Sequence, residues 1–301
     1  MLTFPVRNLF IEGPDCSGKT SLVRDIHKKT NYQYHIHDRS QISRSIFAKM
    51  YERHLPYLKS DMHFEISDLN NRFVFLLPDP EVIEKRFKIR GDEIHDFASI
   101  MNVWTKFAEA TEEFSSYPNV FISHSDSVER ISDNLIPYIY LQERQSLLEI
   151  SEYAKKFVSA TKNNESYPLQ FTLFDDGEFE EASIESMNYG PEKEYYEKIY
   201  TSMHNKISRE LNGENEYSRK ESFSSRRFVY TDDSCISFIQ FAIREELMDF
   251  NVVIRSSDIE NTFEHDLKFL YYLASQCYYR FKDNCNQVRI RFNLNSAHFV
   301  R

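Results

Sequence analysis

The sequence predicts two domains in tandem, a parallel-sheet α/β domain followed by an α+β domain. Three observations carry that expectation. A chain of 301 residues accommodates two domains of ordinary size. From Met1 to about Arg144, short apolar runs alternate with amphipathic helical stretches, the signature of a parallel sheet with crossover helices. From residue 145 to Arg301, strands follow one another and a single aromatic-rich helix intervenes, as in an antiparallel sheet with a packed helix.

In the first domain the strand Asn8–Glu12 runs straight into Gly13-Pro14-Asp15-Cys16-Ser17-Gly18-Lys19-Thr20, and Ser21-Leu22-Val23-Arg24-Asp25-Ile26 continues as a helix. Strand, glycine loop and helix with the spacing G-x-x-x-x-G-K-[ST] form a phosphate-cradling loop. Two of only six glycines fall on its two glycine positions, where a Cβ would block the backbone. The loop amides and the helix N-terminus direct donors and positive dipole at a polyphosphate. Lys19 is placed to reach the β- and γ-phosphates and Thr20 to give its hydroxyl to Mg²⁺. A nucleoside triphosphate is the expected ligand, held by Gly13 through Ser21.

Further strands are expected at Tyr32–His37, Arg72–Leu77 and Asn119–Ser123, with helices at Ile42–Arg53, Asp79/Pro80 to Gly91, Asn102–Phe114 and Ser127–Ile139. Ligands of open α/β sheets bind at the carboxyl ends of the strands. Asp38, Arg39 and Asp79 fall there. Asp38 can hold Mg²⁺ through water, accept the proton of an attacking oxygen, or, with Ser40, cap the next helix; Arg39 suits an acceptor phosphate. Asp79 reads as a helix cap. Arg86 and Arg90, four residues apart on one helix face, suit a lid that supplies cations to a transferring phosphoryl group.

Composition narrows the class. With 41% hydrophobic and 28% charged residues and no apolar run near the roughly 20 residues of a membrane span, a soluble globular protein without a membrane partner is expected. The first strand begins too early to leave room for a signal peptide. Cys16, Cys235, Cys277 and Cys285 show no C-x-x-C spacing, which fits reduced thiols and a cytoplasmic setting. A net charge of −10 disfavours DNA as a partner, leaving room only for a local basic groove.

Phe10 through Thr20 resembles the opening of thymidylate kinases and related deoxynucleoside and deoxynucleotide kinases. Asp38-Arg39-Ser40 followed by Ser43 resembles their Asp-Arg element. Pro80-Glu81 through Arg86 to Arg90-Gly91-Asp92-Glu93 resembles their lid, and Tyr117-Pro118-Asn119-Val120 resembles the family's ending. The resemblance implies an ATP- and Mg²⁺-dependent kinase in which Lys19, Arg39, Arg86 and Arg90 stabilise charge. Thr20 and Asp38 would place the metal, with Asp38 as the candidate base. Asp38 follows Lys19 by only nineteen residues, where a full thymidylate kinase inserts elements that shape the nucleoside pocket. The acceptor is therefore left open.

In the second domain a helical connector is expected over Leu141–Val158, strands at Gln170–Phe174, Arg227–Thr231, Cys235–Ile243, Met248–Ile254 and Val288–Leu294, and a helix at Asp266–Tyr279. A cysteine on a strand usually packs as an inert thiol. Spacing suggests more. Tyr189-Gly190, Ser225-Arg226-Arg227, Ser234-Cys235, Gln240, Arg255-Ser256, Asp258, Asp266 and Ser296-Ala297-His298 resemble thymidylate synthases and the related pyrimidine hydroxymethylases. Gln240, Arg255, Asp258 and Asp266 follow Cys235 by the family's five, twenty, twenty-three and thirty-one residues. The resemblance implies that Cys235 is a nucleophile, that Arg255 and Ser256 hold a nucleotide phosphate, and that Asp266 reads the pyrimidine edge. It also implies that Arg226 and Arg227 reach a partner's phosphate, and hence a homodimer; Gln240, Asp258 and His298 complete the set. Only seven residues separate Arg227 from Cys235, Val300 replaces the family's tyrosine, and the family's folate-covering C-terminal portion does not follow. A domain that dimerises and binds nucleotide, with its synthase chemistry degenerate, is expected. A pyrimidine deoxynucleotide, dTMP-like or 5-hydroxymethylated, is the expected acceptor. Alternatives are a bifunctional kinase and pyrimidine methylase, a kinase acting on hydroxymethylated pyrimidine in DNA, and a non-catalytic nucleotide sensor.

Overall fold

The computed structural model describes residues 1–91, 96–143, 145–179, 192–211 and 228–300. The chain divides into two compact units, Val6–Glu143 and Met1–Pro5 with Arg144–Arg301. The first five residues thus go with the second unit and not, as the sequence suggested, with the first. The reason is β1 (Leu2–Thr3), which pairs antiparallel with the edge of the second unit's sheet.

The Val6–Glu143 unit is built on β2 (Asn8–Glu12), α1 (Lys19–Lys29), β3 (His35–His37), α2 (Gln41–Met50), α3 (Leu58–Ile66), β4 (Asn71–Leu76), α4 (Pro80–Arg90), α5 (Phe97–Phe114), β5 (Val120–Ser123) and α6 (Val128–Glu143). Its four described strands form an all-parallel sheet in the order β3-β2-β4-β5. Parallel strands covered on both faces read as unbroken apolar runs, and all six residues of β4 are buried. The core joins Leu9 and Ile11 of β2 to Leu22 and Ile26 of α1, Val74 and Leu76 of β4, and Ile131, Leu135 and Ile139 of α6. Connections from β2 and β4 leave in opposite directions. The switch point, where open α/β sheets bind ligands, therefore lies at the carboxyl ends of those two strands. This is the α/β fold with a parallel sheet that the sequence predicted. The helix α3 was not foreseen, because only Ile66 of its residues is fully buried and no apolar stripe marks it.

The second unit adds α7 (Leu147–Ala160), β6 (Glu165–Ser166), β7 (Leu169–Asp175), α8 (Lys193–Leu211), β8 (Val229–Thr231), β9 (Ile236–Arg244), β10 (Leu247–Ile254), β11 (Ser257–Asp258), α9 (Phe263–Phe281), β12 (Gln287–Leu294) and β13 (Ala297–His298). The expected connector over Leu141–Val158 is interrupted between α6 and α7, where Ser146 and Glu149 form a capping box that starts α7. A six-stranded sheet runs β1-β7-β12-β10-β9-β8, with a small sheet β11-β13-β6 beside it. The large sheet is not wholly antiparallel: β10 and β12 pair in parallel, since α9 crosses between them. Strict alternation in β10 and β12 buries Met248, Phe250, Val252 and Ile254 together with Val288, Ile290, Phe292 and Leu294. Helices α7 and α9 pack against each other, and Phe171 of β7 meets Phe263 of α9 edge-to-face at 6.1 Å.

Candidate functional site

The loop between β2 and α1 departs from ordinary backbone at three positions. Gly13 (φ 142°), Cys16 (φ 63°) and Gly18 (φ 104°) all have positive φ. At Gly13 the need for glycine is steric as well. A Cβ there would lie 2.5 Å from the Leu76 carbonyl oxygen, because the end of β4 passes directly alongside. Lys19 opens α1 with its side chain turned back into the loop. Its Nζ donates to the carbonyls of Gly13 and Pro14, both at 2.8 Å, and the residue is 9% exposed. Burial lowers the proton affinity of this ammonium, while the nearby carboxylates of Asp15, Asp38 and Glu12 partly restore it. Ser17 Oγ is buried in the same loop and has no hydrogen-bond partner among the described residues.

Arg86 of α4, expected from the sequence as a lid cation, is engaged with backbone oxygens. Its Nη1 donates to the carbonyls of Cys16 (3.1 Å) and Ser17 (2.9 Å), and its Nη2 to the carbonyl of Asp126 (2.6 Å). The guanidinium fork thus ties the phosphate loop to the segment after β5. Arg90, one turn on, is exposed, as are Thr20 and Ser21 at the start of α1. Asp92 and Glu93 lie outside the described residues.

Asp38 and Arg39 follow β3 at the same sheet edge, and both are exposed. The Arg39 guanidinium sits 4.7 Å from the Phe47 ring centroid, and the Asp38 carboxylate acts electrostatically on Lys19. Ser40, not Asp38, caps α2, its Oγ accepting from Ile42 N at 2.9 Å. Asp79 stands at the N-cap position of α4 but makes no side-chain cap bond.

Glu12, to which the sequence reading gave no role, is fully buried at the end of β2. Its carboxylate accepts from Ser40 N (2.6 Å) and from Ser43 Oγ. Burial, the largest influence, pushes its proton affinity up, against those bonds and the Lys19 charge. Glu65 of α3 accepts from the next amide, Gln41 N, at 2.7 Å; burial pushes its carboxyl up to about 7. One signal was available: an acid that closes the apolar run Leu9-Phe10-Ile11.

In the second unit the structure joins several of the expected residues. Cys235 is a free, exposed thiol in the bend just before β9, not within the strand, and its carbonyl accepts from Arg255 N at 2.8 Å. Tyr195 of α8 flanks it: the phenol contacts Ser234 Oγ at 3.0 Å and accepts from Ile236 N at 2.8 Å. Burial raises that phenol to about 12, with Asp266 and Cys235 adding to the effect. Asp266 in the first turn of α9 is 4% exposed, accepts from Tyr196 OH at 2.7 Å, and is raised to about 7, chiefly by burial. Asp258 is occupied with its own turn, accepting from Glu260 N, Asn261 N and Asn261 Nδ2. Ser256 is half-buried beside Arg255, and Gln240 sits half-buried on β9 opposite Asn251. His298 on β13 contacts Ser296 Oγ through Nδ1 at 3.2 Å. Arg226 and Arg227, like Tyr189 and Gly190, lie outside the described residues.

Fold and loop together define an α/β protein whose parallel sheet carries a positive-φ glycine loop and a buried lysine at its switch point. No family model and no curated protein matches the chain. Among solved structures, the YorR protein of Bacillus subtilis in complex with phosphorylated GDP is similar at a TM-score of 0.39 and 20% identity, over 44% of this chain and 96% of that one.

Proposed function

We propose that the Val6–Glu143 unit is an ATP-dependent kinase that transfers the γ-phosphoryl group to a pyrimidine deoxynucleotide, dTMP-like or 5-hydroxymethylated. The observation that supports this most is Lys19. The buried ammonium has two neutral carbonyls as its hydrogen-bond partners, and the carboxylates of Asp15, Asp38 and Glu12 offset its burial only in part; an arriving polyphosphate would supply further negative charge. The same loop offers the buried Ser17 hydroxyl and the amides of the first turn of α1, which have no intrahelical acceptor. Arg86 keeps the loop in shape, and Arg39 and Arg90 are the exposed cations available to substrate phosphates. The hydroxyl of Thr20 and the carboxylate of Asp38 suit Mg²⁺, an ion that neutralises the developing phosphate charge when bound. Asp38 is then also the candidate base.

The second unit resembles a thymidylate synthase and in this reading serves dimerisation and nucleotide binding, with Arg255, Ser256 and Asp266 toward the ligand. One face of its large sheet is buried in its own core. The opposite face, with Asp249, Asn251, Arg289 and Arg291, is half-exposed and polar, and suits a second copy.

The deciding experiment incubates the full chain with γ-labelled ATP and Mg²⁺ against separate acceptors, with Lys19→Ala as control. The acceptors are dTMP, dUMP, dCMP, their 5-hydroxymethyl forms, and DNA containing hydroxymethylated pyrimidine. Label on one acceptor, lost in the control, identifies the reaction. ATP bound without label anywhere removes the kinase reading and favours a nucleotide sensor. Folate-dependent activity lost on Cys235→Ala with kinase activity intact would make the protein bifunctional.

A further inference from the structure

The first turn of α2 is held from elsewhere in the fold. The opening amides of a helix lack internal acceptors and attract carboxylates. Here Ser40 N is taken by Glu12 at 2.6 Å and Gln41 N by Glu65 at 2.7 Å, while Ser43 Oγ, one turn further, also donates to Glu12. Glu12 is the last residue of β2 and directly precedes Gly13, so one strand end carries both the phosphate loop and the anchor of α2. Asp38 and Arg39 stand two and one residues ahead of Ser40 and are exposed, with no such anchor of their own described. A carboxylate at 0% exposure is costly to bury. A neutral glutamine in its place would still accept from Ser40 N but would turn an amide group toward the Ser43 hydroxyl.

We infer that Glu12 is a positioning residue that fixes the Asp38–Arg39 segment relative to the phosphate loop and to Lys19. Its consequence for catalysis rests on the phosphotransfer reading above; its structural content does not. The hydrogen bonds of Glu12 go to the start of α2, while Lys19 Nζ bonds to the Gly13 and Pro14 carbonyls. Glu12 sets where the metal-placing and cationic groups before α2 stand when a nucleotide phosphate reaches Lys19.

Two variants of the full chain test this, Glu12→Gln and Ser43→Ala, the second removing the other end of the bond should the first fail to fold. Amide hydrogen exchange over residues 38–43 is expected to accelerate at least about tenfold in both, the effect of losing a charge-assisted hydrogen bond. Where wild type transfers phosphate to an acceptor of the panel above, kcat is expected to fall by a similar factor with the KM for ATP within about threefold. Unchanged exchange over 38–43 in both variants overturns the inference. So does accelerated exchange with unchanged kcat in an active protein, or a loss confined to the KM for ATP, which would make Glu12 part of the ATP site. A wild type that transfers no phosphate, with exchange still accelerated in the variants, sinks the phosphotransfer reading and leaves the anchoring role of Glu12 standing.

Discussion

Single residues decide most at Gly13 and Asp266. An alanine at Gly13 would combine φ 142° with a Cβ 2.5 Å from the Leu76 carbonyl, and neither backbone can yield without moving a strand end. Gly18→Ala also meets positive φ, but its nearest obstacle is Arg86 Nη1 at 3.4 Å, the tip of a long side chain. Both variants should lose ATP binding. Gly13→Ala should also destabilise its unit by about 1–3 kcal/mol and by more than Gly18→Ala, read by denaturation followed at Trp104. Asp266 makes a prediction about pH. Its folded carboxyl is raised to about 7 from an ordinary 3.8. Between those values the folded protein keeps a proton that the unfolded chain has released. Stability therefore falls as pH rises through that window, by up to a few kcal/mol, and levels off above it. Asp266→Asn should flatten this slope in urea titrations of the second unit between pH 4 and 8. A slope unchanged by the substitution would show that Asp266 ionises normally.

At the scale of elements, the phosphate loop is a local device with a distant brace. Everything that defines Gly13–Thr20 as a loop lies within eight consecutive residues, and so it was legible in the sequence. The brace was not, because Arg86 reaches Cys16 and Ser17 from 70 and 69 residues away. The same holds for Glu12, whose partners Ser40 and Ser43 lie 28 and 31 residues on. Boundaries of strongly patterned strands such as β10 and β12 were read to within a residue. A two-residue strand like β1 has no period to read, and the parallel pairing of β10 with β12 depends on where α9 crosses. Helix α8 was missed although Tyr196, Ile199, Met203 and Ile207, all buried, fall at helical spacing. The intervening charged and tyrosine residues masked that stripe. The brace predicts that Arg86→Ala weakens ATP binding at least about tenfold, since charge-assisted bonds to two loop carbonyls are lost. Arg86→Lys should rescue little of it, because a single ammonium cannot span Cys16, Ser17 and Asp126 as the planar fork does. Titration with a fluorescent ATP analogue measures both, and full rescue by lysine would reduce Arg86 to a point charge.

At the scale of the molecule, the chain begins in one unit, builds the other, and then returns. Residues 1–5 contribute β1 to the edge of the second unit's sheet, through Leu2 opposite Asp175 and Thr3 opposite Phe174. Phe4 follows at 0% exposure, its ring edge-to-face with Tyr153 of α7 at 5.8 Å and with Phe171 of β7 at 6.3 Å. Truncating such a ring removes its buried area and leaves a cavity between a helix and a strand that cannot both collapse onto it. The cost is about 3–5 kcal/mol. All of it should fall on the second unit, although Phe4 stands ahead of the first unit in sequence. The chain supplies its own probe for this. Trp104, its single tryptophan, lies in α5 of the Val6–Glu143 unit with its indole N–H on the Pro78 carbonyl at 3.0 Å. In urea, Phe4→Ala should shift the transition seen by far-UV circular dichroism to lower denaturant while the tryptophan fluorescence transition stays at its wild-type midpoint. A common shift of both signals would mean that the two units unfold as one cooperative body, and a shift of fluorescence alone would mean that the N-terminal residues support the phosphate-loop unit after all.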